Sequence, residues 1–188
     1  NPGWYTPYTP YQAEIAQGRL ESLLNYQTMV SELTGMDVAN ASLLDESTAA
    51  AEAMTLLKRV SKKTAAHTFL VSERIFPQTR ALLETRANPL GITLKYVDTS
   101  KPVTFGEEVY GLYVQSPDDR GEVSDLTGLI TAAHAAGVLV AVGADLLACV
   151  LVTPPGAMGA DVVIAVDLNY DLMGQRFRAP RLSAPVAP

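Results

Sequence analysis

Four adjacent polar residues, Asp45, Glu46, Ser47 and Thr48, are well suited to hold an anion or a reacting group. They open an alanine-rich helix directly after the short apolar stretch 38–42, which is typical of a buried strand. Such side chains cap the free N–H groups of a helix N-terminus, and acidic groups suit the positive end of the helix dipole. A strand that runs into a helix in this way often binds an anion in α/β proteins. The same residues could equally do no more than cap a core helix.

Asp145 is a second candidate, because it follows an apolar strand predicted at 138–142. Open α/β sheets bind ligands at the carboxyl ends of their strands, which is where this carboxylate would lie. The alternative is a structural role, in which the side chain caps the short segment 146–150. The position of Asp145 agrees with both roles.

Three tyrosines, Tyr5, Tyr8 and Tyr11, form a further group within the proline-rich segment 1–11. Prolines at positions 2, 7 and 10 exclude a helix and hold their neighbours in extended backbone, so we predict an arm. An arm of this kind packs against the rest of a protein, but its phenolic hydroxyls can also hydrogen-bond a ligand.

Short apolar runs alternate with helical periodicity between residues 13 and 166, and this alternation predicts an α/β fold. We predict helices at 13–34, 46–60, 77–87 and 123–136, and strands at 38–42, 67–71, 92–97, 109–114, 138–142 and 162–166. Gly35 should end the first helix and Pro77 should begin the third. The predicted architecture is a mainly parallel, doubly wound sheet flanked by helices.

Composition limits the possible partners. The 188 residues carry a formal net charge of −6, which argues against nucleic acid or an anionic membrane. Cys149 is the sole cysteine, so no internal disulfide can form, and a reducing compartment fits. Two histidines and one cysteine, scattered in sequence, argue against a transition-metal site, and the glycine-rich nucleotide motifs are absent. No apolar run is long enough to span a membrane. The start of the chain resembles no signal peptide and lacks methionine, so we expect the chain to be a piece of a longer protein.

Several sequence motifs together indicate a family. In chain order they are Tyr-Thr-Pro-Tyr-Thr-Pro-Tyr-Gln at 5–12, Gln-Gly-Arg-Leu-Glu at 17–21, Leu-Asn-Tyr-Gln-Thr-Met-Val at 24–30, the stretch 39–53, Phe-Pro-Gln-Thr at 76–79 and Pro-Pro-Gly-x-x-Gly-Ala-Asp at 154–161. In this order they resemble glycine decarboxylase, the P-protein of the glycine cleavage system. The resemblance is nearly continuous from residue 1 to the region of residue 164, and the number of matching motifs makes it specific.

The resemblance implies a fold and an activity. The fold is that of part of the large domain of fold type I pyridoxal phosphate (PLP) enzymes. The activity is PLP-dependent decarboxylation of glycine, with transfer of the aminomethyl group to the lipoyl arm of the H-protein. The family protein has two homologous halves in a dimeric assembly, in the cytoplasm of bacteria or the mitochondria of eukaryotes, and this chain resembles the N-terminal half. Its partner would be the C-terminal half, which carries the Schiff-base lysine; none of the lysines at 58, 62, 63, 95 and 101 matches that motif.

The resemblance also assigns roles to the candidate cofactor residues. Asp45, Ser47 and Thr48 correspond to the loop that holds the PLP phosphate, and Asp145 corresponds to the aspartate that pairs with the pyridinium nitrogen. Because this half lacks the lysine, these residues would hold structure or face the site of the neighbouring half. No catalytic residue and no metal ligand is expected in this chain.

The arm is the better candidate for contact with substrate under this resemblance. In the family it lies at the active site, near the carboxylate of glycine. The residues implied on the substrate side are Tyr5, Tyr8, Thr9 and Tyr11.

The end of the chain departs from the family. A proline- and alanine-rich run at 178–188 stands where the family has a glycine-rich segment, and its composition predicts disorder. We therefore divide the chain into an arm at 1–11, an incomplete α/β domain at 12–166 and a divergent tail at 167–188. The alternatives to a working part of the enzyme are a non-catalytic partner or scaffold subunit, or an inactive truncated product.

Overall fold

A single seven-stranded sheet organises the chain. The computed structural model describes residues 11–170 and 176–183, with side chains described for 11–40 and 43–165. After a 3-10 turn at Ala13–Ile15, the elements are α1 (Gln17–Thr34), β1 (Ala39–Ser42), α2 (Glu46–Val60), β2 (Thr68–Ser72), α3 (Pro77–Ala87), β3 (Thr93–Val97), β4 (Val109–Ser116), α4 (Thr127–Ala135), β5 (Leu139–Asp145), α5 (Leu146–Leu151), β6 (Val162–Tyr170) and β7 (Arg176–Ser183).

The strand order is β1-β7-β6-β5-β4-β2-β3. The five strands from β2 to β6 run parallel, whereas β7 is antiparallel to both β6 and β1. One face of the sheet packs against α2 and α3, and the opposite face packs against α4 and α5. The predicted mainly parallel sheet with helices on both faces is confirmed.

The helix ends follow the local signals in the sequence. Gly35 adopts a left-handed conformation with φ of 71° and ends α1, as predicted. The side chain of Asp45 caps α2, because its Oδ1 accepts the backbone N–H of Thr48 at 2.6 Å. Pro77 occupies the first turn of α3, where its missing N–H costs no hydrogen bond.

Small residues bring α2 close to the sheet. Ala49, Ala50 and Ala53 are completely buried on the face of α2 that lies against the strands. Within the sheet, the ring of Phe69 occupies the space above Gly111, where a Cβ atom would lie 2.7 Å from the ring. These close approaches leave no room for larger side chains at the same positions.

The segment 154–161 joins the end of α1 to the sheet. The N–H of Gly156 donates to the carbonyl oxygen of Thr34 at 2.9 Å. Gly159 has a φ of 100°, which favours glycine. Asp161 then accepts the backbone N–H of Val140 at 2.7 Å and pairs with His134 at 2.8 Å. The motif 154–161 therefore has a structural role.

Two regions differ from the sequence-based expectation. Helix α4 begins at Thr127 and not near 123, because the side chain of Asp125 accepts the N–H of Thr127 at 2.9 Å and holds the preceding chain in a turn. Part of the segment 167–188, for which disorder is expected, lies in β6 and β7. Pairing of β7 with β6 and β1 supplies backbone hydrogen bonds that composition does not reveal. The division of the chain into three parts stays a prediction.

Within residues 11–170 and 176–183, no helix combines the length and the apolar character needed to cross a membrane.

Candidate functional site

A cavity of about 290 Å³ opens at the carboxyl ends of the central strands. Its walls come from the start of α2, the residue before α3, the end of β4 with the turn that follows, and the end of β5. The lining residues are Glu46, Phe76, Gln115, Pro117, Asp118, Asp119, Gly121, Gly143, Ala144 and Asp145.

The topology of the sheet explains the position of this cavity. From β2 the chain crosses to β3 on one side, then returns to β4 on the other side of β2 and continues outwards to β5 and β6. The connections therefore diverge between β2 and β4, and a crevice forms above the strand ends at such a switch point. This is the place at which α/β proteins of this kind bind ligands.

A buried polar chain lines the floor of the cavity. Gln115 donates from Nε2 to Oε1 of Glu46 at 3.1 Å, and its own Oε1 accepts the N–H of Phe76 at 3.2 Å. Glu46 and Gln115 are only 6% and 9% exposed. A single amide thus connects the first residue of α2 to the residue that precedes α3, and it orients the Glu46 carboxylate.

Tyr113 lies beneath the same floor. Its ring is fully buried, and a Cβ atom at Gly143 would lie 3.2 Å from Cζ of this ring. Among the described residues its hydroxyl has no hydrogen-bond partner. Burial, with a smaller contribution from the charge of Glu46, raises the pKa of Tyr113 well above its ordinary value. The hydroxyl therefore stays protonated at neutral pH.

The rim of the cavity is acidic. Burial opposes the charge on Asp118, but the backbone N–H groups of Glu122 and Arg120 outweigh it and lower the pKa of this carboxyl. Asp119 pairs with Arg74 at 3.5 Å. Asp145 accepts the N–H of Leu147 at 3.0 Å. With Glu46, these residues place four carboxyl groups around the cavity, and no lysine, arginine or histidine is among the lining residues.

The structure separates the predicted cofactor residues. Asp145 lines the cavity and also caps α5, so it lies where both of its predicted roles would place it. Asp45, Ser47 and Thr48 are not lining residues: Asp45 caps α2, and the hydroxyl of Ser47 lies 3.3 Å from that of Thr79. Their roles towards a cofactor stay predictions.

The substrate-side prediction concerns the arm. Tyr5, Tyr8 and Thr9 lie outside the described residues. Tyr11 is 80% exposed, so its side chain stands at the surface of the described part of the chain.

Two important residues of the cavity escaped the sequence analysis. The sequence places Glu46 in the polar start of α2, but the resemblance assigns it no cofactor role, and the sequence assigns no role to Gln115. Gln115 directly follows the apolar run predicted as a strand, which is the same signal that identified Asp145. A polar residue at each predicted strand end would therefore have indicated this cavity.

The family of the chain follows from comparison with known proteins. The model of the glycine cleavage system P-protein family matches residues 1–174. The chain belongs to this family. It is 53% identical over 180 residues to the glycine dehydrogenase (decarboxylating) of Thermosynechococcus vestitus and 52% identical over 180 residues to that of Parasynechococcus marenigrum. Each alignment covers 96% of this chain and 18% of the relative, so the chain spans less than a fifth of the length of these relatives.

Solved structures support the same assignment. The crystal structure of glycine decarboxylase (P-protein) of the glycine cleavage system, in inhibitor-bound form, matches with a TM-score of 0.78 and 33% identity, over 94% of this chain and 48% of that chain. A putative O-acetylhomoserine (thiol)-lyase from Campylobacter jejuni, solved with N'-pyridoxyl-lysine-5'-monophosphate, matches with a TM-score of 0.67 and 15% identity, over 83% and 38% of the two chains. The second likeness concerns the fold alone. This chain therefore has the α/β fold that these two solved structures share.

The cavity of this P-protein segment does not fit PLP. None of its lining residues is a lysine, so this chain itself supplies no Schiff-base partner there. Lys58 and Lys63 donate to backbone carbonyls, Lys95 and Lys101 pair with carboxylates, and Lys62 is exposed. A phosphate group in the cavity would also meet the like charge of the four lining carboxyl groups.

Proposed function

We propose that this chain is part of a glycine decarboxylase that acts on glycine and passes the aminomethyl group to the lipoyl arm of an H-protein. The identity of 53% over 96% of the chain to a glycine dehydrogenase (decarboxylating) is the observation that carries this proposal. Because the chain spans only 18% of that relative, the activity would belong to the whole protein. The chain itself would supply part of the wall of the active site and a surface for the other half.

We further propose that the C-terminal half holds PLP. The absence of a lysine from the lining of the cavity and its four carboxyl groups support this assignment. On this view Asp45, Ser47 and Thr48 keep the start of α2 in place, and Asp145 caps α5 at the edge of the cavity. The residues of this chain that contact substrate would be those of the arm.

Reconstitution tests both statements in one experiment. The chain is mixed with the separately expressed remainder of a P-protein, H-protein, glycine and PLP, and the glycine-dependent exchange of CO₂ is measured. We expect exchange only with both polypeptides present. Borohydride reduction followed by peptide mapping should then place the pyridoxyl group on a lysine outside this chain. A pyridoxyl group on Lys58, Lys62, Lys63, Lys95 or Lys101 would refute the assignment of the cofactor.

The arm gives a second expected result. In the reconstituted enzyme, Tyr8→Phe should raise the KM for glycine by about tenfold, because a hydrogen bond to a charged group contributes roughly 1.5 kcal/mol. Tyr96→Phe is the matched control, since Tyr96 lies on β3 and its hydroxyl donates to Glu84 at 2.6 Å. Equal KM values for the Tyr8→Phe variant and the unmodified enzyme would count against contact between Tyr8 and substrate.

The second candidate function is a non-catalytic scaffold subunit. The cavity that does not fit PLP favours this alternative, because the chain then offers surfaces and no chemistry of its own. The reconstitution separates the two: a remainder that exchanges CO₂ equally well without this chain indicates a scaffold.

A further inference from the structure

Helices α1 and α5 pack against each other, and both expose apolar side chains. In α5, Leu147, Val150 and Leu151 are exposed and, at spacings of three and four residues, share one face of the helix. In α1, Leu23 and Leu24 are exposed as well. We call these five residues the α1/α5 surface. Apart from the thiol of Cys149, α5 contains no ionisable side chain, so nothing in this helix favours exposure to water.

The first half of α1 receives little support from the described part of the chain. Residues 17–25 are exposed, apart from a half-buried Leu20, and the buried residues of this helix, Val30 and Thr34, both lie in its last two turns. Helices in proteins depend mainly on packing of an apolar face for their stability. The first turns of α1 therefore gain little stability from apolar packing against the described residues.

Exposed large apolar side chains are unevenly distributed over the described residues. Away from α1, α5 and their adjoining loops, those exposed are Leu44, Val60, Leu90 and Val123, which are well separated in sequence. Single exposed apolar residues of this kind are normal in proteins. Larger groups of them mark interaction surfaces, such as those that another polypeptide covers.

We propose that the α1/α5 surface is covered by P-protein polypeptide that lies outside this chain. The chain spans 18% of its relatives and 48% of the solved P-protein chain, so most of the polypeptide that could cover this surface is absent from it. A segment of the same protein is present at a high effective concentration, which favours it over a second copy of this chain. The proposal rests on the proposed role within a larger enzyme, but its test measures accessibility and not activity.

The test uses cysteine labelling of a full-length P-protein that contains this sequence. Leu24→Cys and Leu151→Cys probe the two helices, and Leu90→Cys is the control, because Leu24 and Leu90 are 63% and 57% exposed in the chain alone. A maleimide is added to the native and the urea-unfolded protein, and fragment masses locate the label. Burial raises the pKa of the Cys149 thiol to about 11, so the natural cysteine reacts slowly in the native protein.

We expect the two α1/α5 positions to react at least about tenfold more slowly in the native than in the unfolded protein, and Leu90→Cys to differ by less than about threefold. Fast native labelling at Leu24→Cys and Leu151→Cys would overturn the proposal. Protection that disappears on dilution would assign a second copy to this surface and would also overturn it. Amide hydrogen exchange of the first half of α1 and of α5 in the unsubstituted protein gives the same reading without a substitution, and rapid exchange in both would again overturn the proposal.

Discussion

Replacing Gly156 with alanine should destabilise the protein by about 3 kcal/mol, because the new methyl group has no space. A Cβ atom at this position would clash with the carbonyl oxygen of Gly35 and would lie 2.6 Å from that of Thr34. Both are backbone atoms, which cannot rotate away as a side chain can. The segment 154–161 would have to move off the end of α1 and would weaken the hydrogen bond between Gly156 and Thr34. Urea unfolding followed by circular dichroism measures the loss.

Gly128→Ala is the matched control for this substitution. Gly128 lies in α4, and nothing approaches within 4 Å of the position of its Cβ atom. Alanine there should stabilise the protein by up to about 1 kcal/mol, because glycine is the poorer helix former. A Gly156→Ala variant that unfolds at the same urea concentration as the unmodified chain would show that this close approach does not exist.

Replacing Gln115 with glutamate should cost about 3 kcal/mol of stability at pH 7. The new carboxylate could still accept the N–H of Phe76, but it could not donate to Glu46 and would place a second negative charge beside it. In the folded variant this pair would bind a proton more tightly than two separate carboxyl groups in the unfolded chain. A group that holds its proton more tightly in the folded state contributes stability at low pH, and this contribution is lost as pH rises. The deficit relative to the unmodified protein should therefore shrink as pH falls from 7 towards about 4.

Gln115→Met separates the loss of hydrogen bonds from the effect of charge. Methionine has a similar size and removes both hydrogen bonds without adding a charge, so its deficit should be about 2 kcal/mol at pH 7 and should change less with pH than that of the glutamate variant. Urea unfolding at several pH values provides both curves. Parallel curves for the glutamate and methionine variants would mean that the side chain at 115 is not in contact with the Glu46 carboxylate.

Local signals account for the parts of the fold that were predicted well. Helix α2 has its capping residue, Asp45, immediately before it, and α3 begins at a proline. Strands β2 and β5 are short apolar runs with helical sequence on either side. Each of these signals lies within a few residues of the structure that it determines, so the sequence alone is sufficient to read it.

The candidate site depends on contacts that no local pattern records. Glu46 and Gln115 are separated by 69 positions, and their hydrogen bond exists only because β4 ends beside the start of α2. The acidic rim likewise combines the turn after β4 with the end of β5. The start predicted for α4 is too early for a different reason. The N–H of Thr127 donates to the side chain of Asp125, and this hydrogen bond competes with the first helical turn.

The hydrogen bond between Thr34 and Gly156 also bears on the order in which the molecule can form. It joins the end of the first helix to a segment that is synthesised 122 residues later, since 156 minus 34 is 122. Helix α1 leaves the ribosome early, but the backbone against which its last turn docks appears only when most of this chain has been made. The central strands can pair before that point, because β2 to β5 precede Gly156 in the sequence. During translation, the first helix is therefore made long before the segment against which its last turn docks.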